Sequence, residues 1–185
     1  MTPHQGTAEA PADHVAARRK GRGRLGIVLA FTAALTAACS SSSSSTTPPP
    51  NPATAQADIT TVYNAFFNLS NKDVDKTLAA IQNGSTLRAA TTDALSSTLS
   101  NSATGATVSS ATLLTASQCS AQSLPYPCAK VTYSILGPGG QPLLANSGGY
   151  AVYVNGHWLV AHVTVCGLFE LLYQTEGKSG TPPGC

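Results

Sequence analysis

The chain has 185 residues, only 10% of them charged, and its Lys and Arg outnumber its Asp and Glu by two. Half of the basic residues, Arg18, Arg19, Lys20, Arg22 and Arg24, precede Cys39 together with two of the acids, so the remainder carries a net charge of −1. No basic patch is left there to neutralise phosphates, which argues against nucleic acid as a partner, and the roughly 130 residues of the main segment suit one domain with one core.

The basic cluster leads into Leu25 to Ala38, fourteen residues with no charge. This is the layout of an export signal, and it is shorter than the roughly 20 apolar residues a helix needs to span a bilayer core. Ala37 and Ala38 directly before Cys39 resemble a bacterial lipobox, with Thr36 at the place where an aliphatic residue is usual. The resemblance implies that the Cys39 thiol receives a diacylglycerol and that a peptidase cuts on its N-terminal side. A palmitate-bearing lipid would then be the membrane partner and would hold the protein on the outer face of the cell membrane. Cleavage after an Ala-x-Ala-like site at Leu35–Ala38, giving a freely secreted protein, is the alternative.

Residues 40–52, "SSSSSSTTPPPNP", have no apolar side chains beyond the proline rings and cannot offset the entropy of ordering. The expected organisation is an N-terminal extension with signal peptide over 1–38, a Ser/Thr/Pro-rich tether over 39–52, one domain over 53–175 and a tail over 176–185.

Within the domain, Ile59, Val62, Tyr63, Phe66 and Phe67 recur at helical spacing and predict a first helix with one apolar face. Asp73 is placed to cap a second, short helix with Val74, Leu78 and Ile81 inward, stopped by Asn83-Gly84. A third helical stretch around 86–99 carries Leu87, Ala90, Ala94 and Leu95. Strands follow: 108–117, then 128–136, where Val131, Tyr133 and Ile135 alternate with polar residues. "GPGGQP" at 137–142 is a turn, and 149–165 reads as a hairpin about Asn155-Gly156, a pair suited to the type I′ turn. On its second arm, Leu159, Ala161, Val163 and Val165 form the better core face, leaving Trp158, Val160, His162 and Thr164 on the other. Gly167–Tyr173 is a short helix or a strand end.

Helices followed by antiparallel strands give an α+β domain with its helices on one face of the sheet. Cys119, Cys128, Cys166 and Cys185 are even in number in a chain bound for an oxidising compartment, so two disulfides are expected. Three pairings are open; the loop "SAQSLPYP" favours 119–128, and hence 166–185. The spacings lack a C-x-x-C pair, so a zinc site is not expected; no other metal or cofactor is implied either.

The segments "ITTVYNAFFN", "NKDVDKTLAAIQNG" and above all "YVNGHWLVAHVTVCGLFELL" resemble the low-molecular-weight mycobacterial secreted antigen family over about residues 54–175. That resemblance implies N-terminal helices packed on a curved antiparallel sheet of the nuclear transport factor 2-like, or cystatin-like, fold. Relatives with this fold range from isomerases and dehydratases to domains that only bind, so the fold leaves function open. In enzymes of the superfamily an Asp, His or Tyr faces the pocket. The corresponding candidates are Asp58, Tyr63, Tyr133, Tyr150, Tyr153, His157 and His162.

Each has a plainer account. Asp58 reads as a first-turn acid favoured by the helix dipole, Tyr63 as part of the core stripe, and the strand tyrosines as packing residues. His157 follows the turn and reads as solvated; His162 lacks an orienting partner in sequence. The expectation is therefore a non-enzymatic envelope lipoprotein that binds a small apolar ligand or an envelope protein, with Tyr63, Phe67, Tyr133, Trp158 and His162 as candidate pocket residues. A small isomerase or dehydratase using His162 or Asp58 as base is the alternative.

Overall fold

Asn51 caps the first helix, its side chain accepting from the N–H of Ala53 at 2.9 Å, and Pro52 occupies the first helical position, where its missing N–H costs nothing. The computed structural model describes residues 49–69 and 72–185. The expected signal peptide, the expected lipidation at Cys39 and the expected tether up to residue 48 fall outside the described residues. From its cap, α1 runs Pro52–Phe67 and buries Ile59, Tyr63, Phe66 and Phe67 along one stripe. Asp58 is thus not in the first turn: the helix begins earlier than the apolar spacing alone indicates.

Asp73 caps α2, Val74–Ala79, by accepting from Lys76 N–H at 3.1 Å. Asn83, at φ 54°, supplies the left-handed stop before a 3₁₀ turn, Gly84–Leu87. The third helical stretch is divided at Ser97, whose backbone is extended, into α3, Arg88–Ser96, and α4, Thr98–Ser102. Ser97 accepts from Ser100 N–H through its own hydroxyl, so the serine breaks one helix and caps the next.

β1, Gly105–Leu113, β2, Cys128–Leu136, β3, Pro142–Val154, and β4, His157–Val160, form one antiparallel sheet in the order β1-β2-β3-β4. Asn155 and Gly156 both have positive φ, as the type I′ turn requires. The first predicted strand ends early: residues Ala116–Ala121 are a helix, α5, opened by a capping box in which Thr115 and Gln118 bond each other's backbone N–H. The second arm of the hairpin also ends early. Residues His162–Thr175 form α6, which contains both His162 and the Gly167–Tyr173 stretch.

This shortening reverses the predicted faces of the last strand. Trp158 and Val160 point into the main core with Ala129, Val131, Tyr133, Ile135 and α1, whereas Leu159 and Ala161 face a second, smaller cluster with Cys119, Leu124, Cys128 and Val152. That second cluster lies beneath α5 on the opposite side of the sheet, so the helices are not all on one face. Cys119 and Cys128, both fully buried, are disulfide-bonded there, and Cys166 is bonded to Cys185.

The point where β4 gives way to α6 is held by backbone and side chains together. Tyr150 N–H donates to Thr164 Oγ1 at 2.8 Å, and Tyr150 C=O accepts from Ala161 N–H at 2.9 Å and from the Tyr63 hydroxyl at 3.1 Å. Gly149 makes this approach feasible. A Cβ there would lie 2.7 Å from Thr164 Cγ2 and 3.0 Å from both the Tyr63 hydroxyl and the Tyr133 ring, while at Gly148 it would meet nothing within 4 Å. Gly149→Ala is expected to destabilise the fold by about 1–3 kcal/mol through overpacking. Gly148→Ala should be neutral or stabilising by up to about 1 kcal/mol; equal losses in urea denaturation of the two variants would refute the assignment.

Candidate functional site

Three of the five candidate pocket residues meet in one place. Tyr63 and Tyr133 have ring centroids 5.0 Å apart, Phe67 stacks on Tyr133 at 5.4 Å, and Phe66 packs edge-on against Phe67 at 4.7 Å. Each such pair contributes about 0.5–1.5 kcal/mol beyond area burial. Tyr63 and Tyr133 are core residues, and burial raises both hydroxyl pKa values: Tyr133 is pushed up to about 12, and Tyr63 further still, with the neighbouring Tyr133 adding to the effect.

Trp158 and His162 lie elsewhere. Trp158 packs on Tyr153 at 5.3 Å, and the two line an open groove of about 720 Å³ with Thr54, Asp58, Lys76 and His157. The Asp58 carboxylate there accepts from Thr54 Oγ1 at 3.0 Å. The Trp158 Nε1 group is buried and has no partner among the described residues. His162 sits in the first turn of α6, not beside Trp158 on a strand face. Its Nε2 is 3.4 Å from Thr86 Oγ1, its Nδ1 is 3.6 Å from Cys166 Sγ, and its N–H donates to Gln82 Oε1 at 3.2 Å. Tyr150 is on the α5 side of the sheet, where its hydroxyl donates to Gln122 Oε1 at 3.0 Å.

The most apolar recess is formed by residues that the periodicity does not mark as a set. Phe66 and Phe67 from the end of α1, Ile135 of β2, Leu144 of β3, and Leu168 and Leu172 of α6 line a cavity of about 210 Å³. Of the sequence candidates only Phe67 reaches it. Leu144, Leu168 and Leu171 also border an adjoining recess of about 330 Å³ that reaches Tyr133, Gly149 and Thr164. Alternation along β2 marked Ile135 as inward, but pairing Leu144 with Leu168 depends on α6 being a helix.

No titratable side chain lines the 210 Å³ cavity; its polar groups are Ser97, Ser100 and Thr175. These are already engaged, Ser100 Oγ donating to Ser97 C=O and Thr175 Oγ1 to Leu172 C=O. What the lining offers a guest is removal of apolar surface from water, about 0.8 kcal/mol per buried CH₂. Among the described residues, no group of three or more His, Cys, Asp or Glu is placed to hold a metal ion, and no helix is long and apolar enough to cross a membrane.

The two core tyrosines make alkaline stability a test of this packing. Their hydroxyls keep their protons in the folded state at pH values where unfolded tyrosine, with its ordinary pKa near 10, releases them. The unfolded state therefore binds fewer protons, and stability should fall as pH rises above about 10 towards 12, by at most about 1.4 kcal/mol per pH unit for each group. Denaturation midpoints measured from pH 8 to 11.5 should show this fall, and Tyr133→Phe should make it shallower, leaving the part due to Tyr63. A profile flat to pH 11.5 would contradict the burial of these rings.

The family model described as low molecular weight antigen MTB12, C-terminal domain, matches residues 51–176, from the N-cap of α1 to the C-cap of α6. No curated protein and no solved structure matches the chain.

Proposed function

The chain belongs to the low molecular weight antigen MTB12 C-terminal domain family, and we propose that it is an exported, lipid-anchored envelope protein whose domain holds a small apolar ligand rather than catalysing a reaction. Family membership and two disulfides, bonds that persist in oxidising compartments, mark it as extracytoplasmic. The observation that carries the ligand reading is the cavity between the end of α1, β2, β3 and α6, with its apolar wall and its few hydroxyls already bonded. The nuclear transport factor 2-like fold belongs to the same proposal. It is supported by the helix-first order and by the apolar stripe of α1 lying on an antiparallel sheet with strand bulges near Val108 and Tyr133.

Anchoring rests on the sequence: the basic cluster, the short apolar run and the small residues before Cys39. Two acyl chains are about what stable attachment takes. The exposed Leu143 and Leu171 on the cavity wall, with exposed Val163 on the adjoining recess, favour a second reading, in which an envelope protein covers this face.

Native mass spectrometry of protein purified from its own envelope tests the ligand. An adduct of discrete mass that disappears on denaturation, and is absent from Ala94→Phe, which fills the cavity wall, is the expected result. A bare native mass with a protein co-purifying would shift the assignment to the second reading. Independently, Cys39→Ala should move the protein from the membrane fraction to the medium; retention in the membrane with the signal removed would defeat lipid anchoring.

A further inference from the structure

We propose that the Cys166–Cys185 disulfide is a redox site, opened by a dithiol reductant outside the cytoplasm, with His162 as the group that stabilises Cys166 as the departing thiolate. The two disulfides occupy opposite environments. Cys119 and Cys128 are fully buried among Leu124, Val152 and Ala161, beyond the reach of an attacking thiolate. Cys166 is 9% exposed on the inner side of α6, but its partner Cys185 is exposed, and an open recess of about 550 Å³ lies against Gln82, Thr86, His162 and Gly184 next to it. Exposed disulfides are the ones that exchange.

The second observation is the imidazole. His162 precedes Cys166 by one helical turn, and its Nδ1 lies 3.6 Å from Cys166 Sγ. Thr86 Oγ1 at the other ring nitrogen and Gln82 Oε1 on the backbone N–H hold the residue in place. A thiolate that accepts from a ring N–H held beside it is stabilised, and a more stable thiolate leaves faster.

The steps balance as an ordinary exchange. The thiolate of the reductant, its proton lost to solvent, attacks Cys185 Sγ. The S–S bond breaks, and its electron pair goes to Cys166 Sγ, which takes a proton from His162 Nδ1; solvent reprotonates the ring. The second thiol of the reductant then attacks the mixed disulfide and leaves as a cyclic disulfide, Cys185 becoming a thiol. Two thiols have been oxidised and one disulfide reduced.

Opening the bond frees the tail. Pro182 is fully buried and Gly184 is packed on the Thr86 carbonyl, close to Leu87, so detachment uncovers the turn between α2 and α3. The tail after Glu176 lies beyond the family match, and the α1 to α6 domain does not depend on it for any strand or for the Cys119–Cys128 bond.

The oxidised full chain would be exposed to graded dithiothreitol, quenched with acid, alkylated, and each disulfide quantified by peptide mass spectrometry. Cys166–Cys185 should open at least about tenfold faster than Cys119–Cys128, with circular dichroism unchanged, and His162→Gln should slow it about tenfold. The Cys119–Cys128 rate in the same sample reports whether the variant has loosened the fold. If it has, Thr86→Ala, which releases the ring without altering α6, should still give a partial slowing. A single common rate for both bonds, or an unchanged Cys166–Cys185 rate in the intact variant, would overturn the proposal.

Discussion

The backbone of Tyr150 is the joint on which the domain depends. β3 continues past the end of β4, so at this residue the sheet offers an N–H and a C=O with no strand to receive them, and an unpaired buried polar group costs about 1–3 kcal/mol. Their partners come from three places: Ala161 where the chain turns, Thr164 in the first turn of α6, and Tyr63 in the second half of α1. The backbone of a single residue thus ties the first and last helices to the sheet. The hydroxyl of Tyr63 has to be buried to do so, which is why it stands apart from an ordinary surface tyrosine.

The same mismatch of strand lengths creates the cavity. β4 has four residues and β3 has thirteen, so the first half of β3 is flanked by α6 instead of a strand. Leu144 meets Leu168 there across a gap that strand pairing would have closed. On the opposite side of the sheet the apolar cluster is small, and a covalent bond between Cys119 and Cys128 supplements its packing, by about 2–4 kcal/mol for a typical disulfide.

Much of the fold is legible in the residues. The stripe of α1, the alternation Val131, Tyr133, Ile135, and Asn155-Gly156 each carry a period or a turn chemistry strong enough to identify the element. The boundaries near 116 and 161 are not so plain. Thr115 and Gln118 spell out a capping box, but they follow directly on a β-branched strand whose pattern runs into them. From Trp158 to Cys166 the chain is almost continuously apolar and rich in valine, which suits strand and helix alike. The cap that decides for helix is Gln82, eighty residues away, and no local signal announces it. Read as strand, that boundary puts His162 on the wrong element and conceals the cavity, whose lining comes from α1, the α3–α4 segment, β2, β3 and α6.

The length of α1 has a spatial consequence. Its first turn lies beside Pro49 and Asn51, where the preceding chain enters the domain, and its last turn forms one end of the cavity. Its terminal residues, Pro52 and Phe67, are fifteen positions apart, a rise of about 22 Å at 1.5 Å per residue. The helix therefore acts as a spacer within the described domain, setting the point where residue 49 enters it about one helix length from the apolar opening.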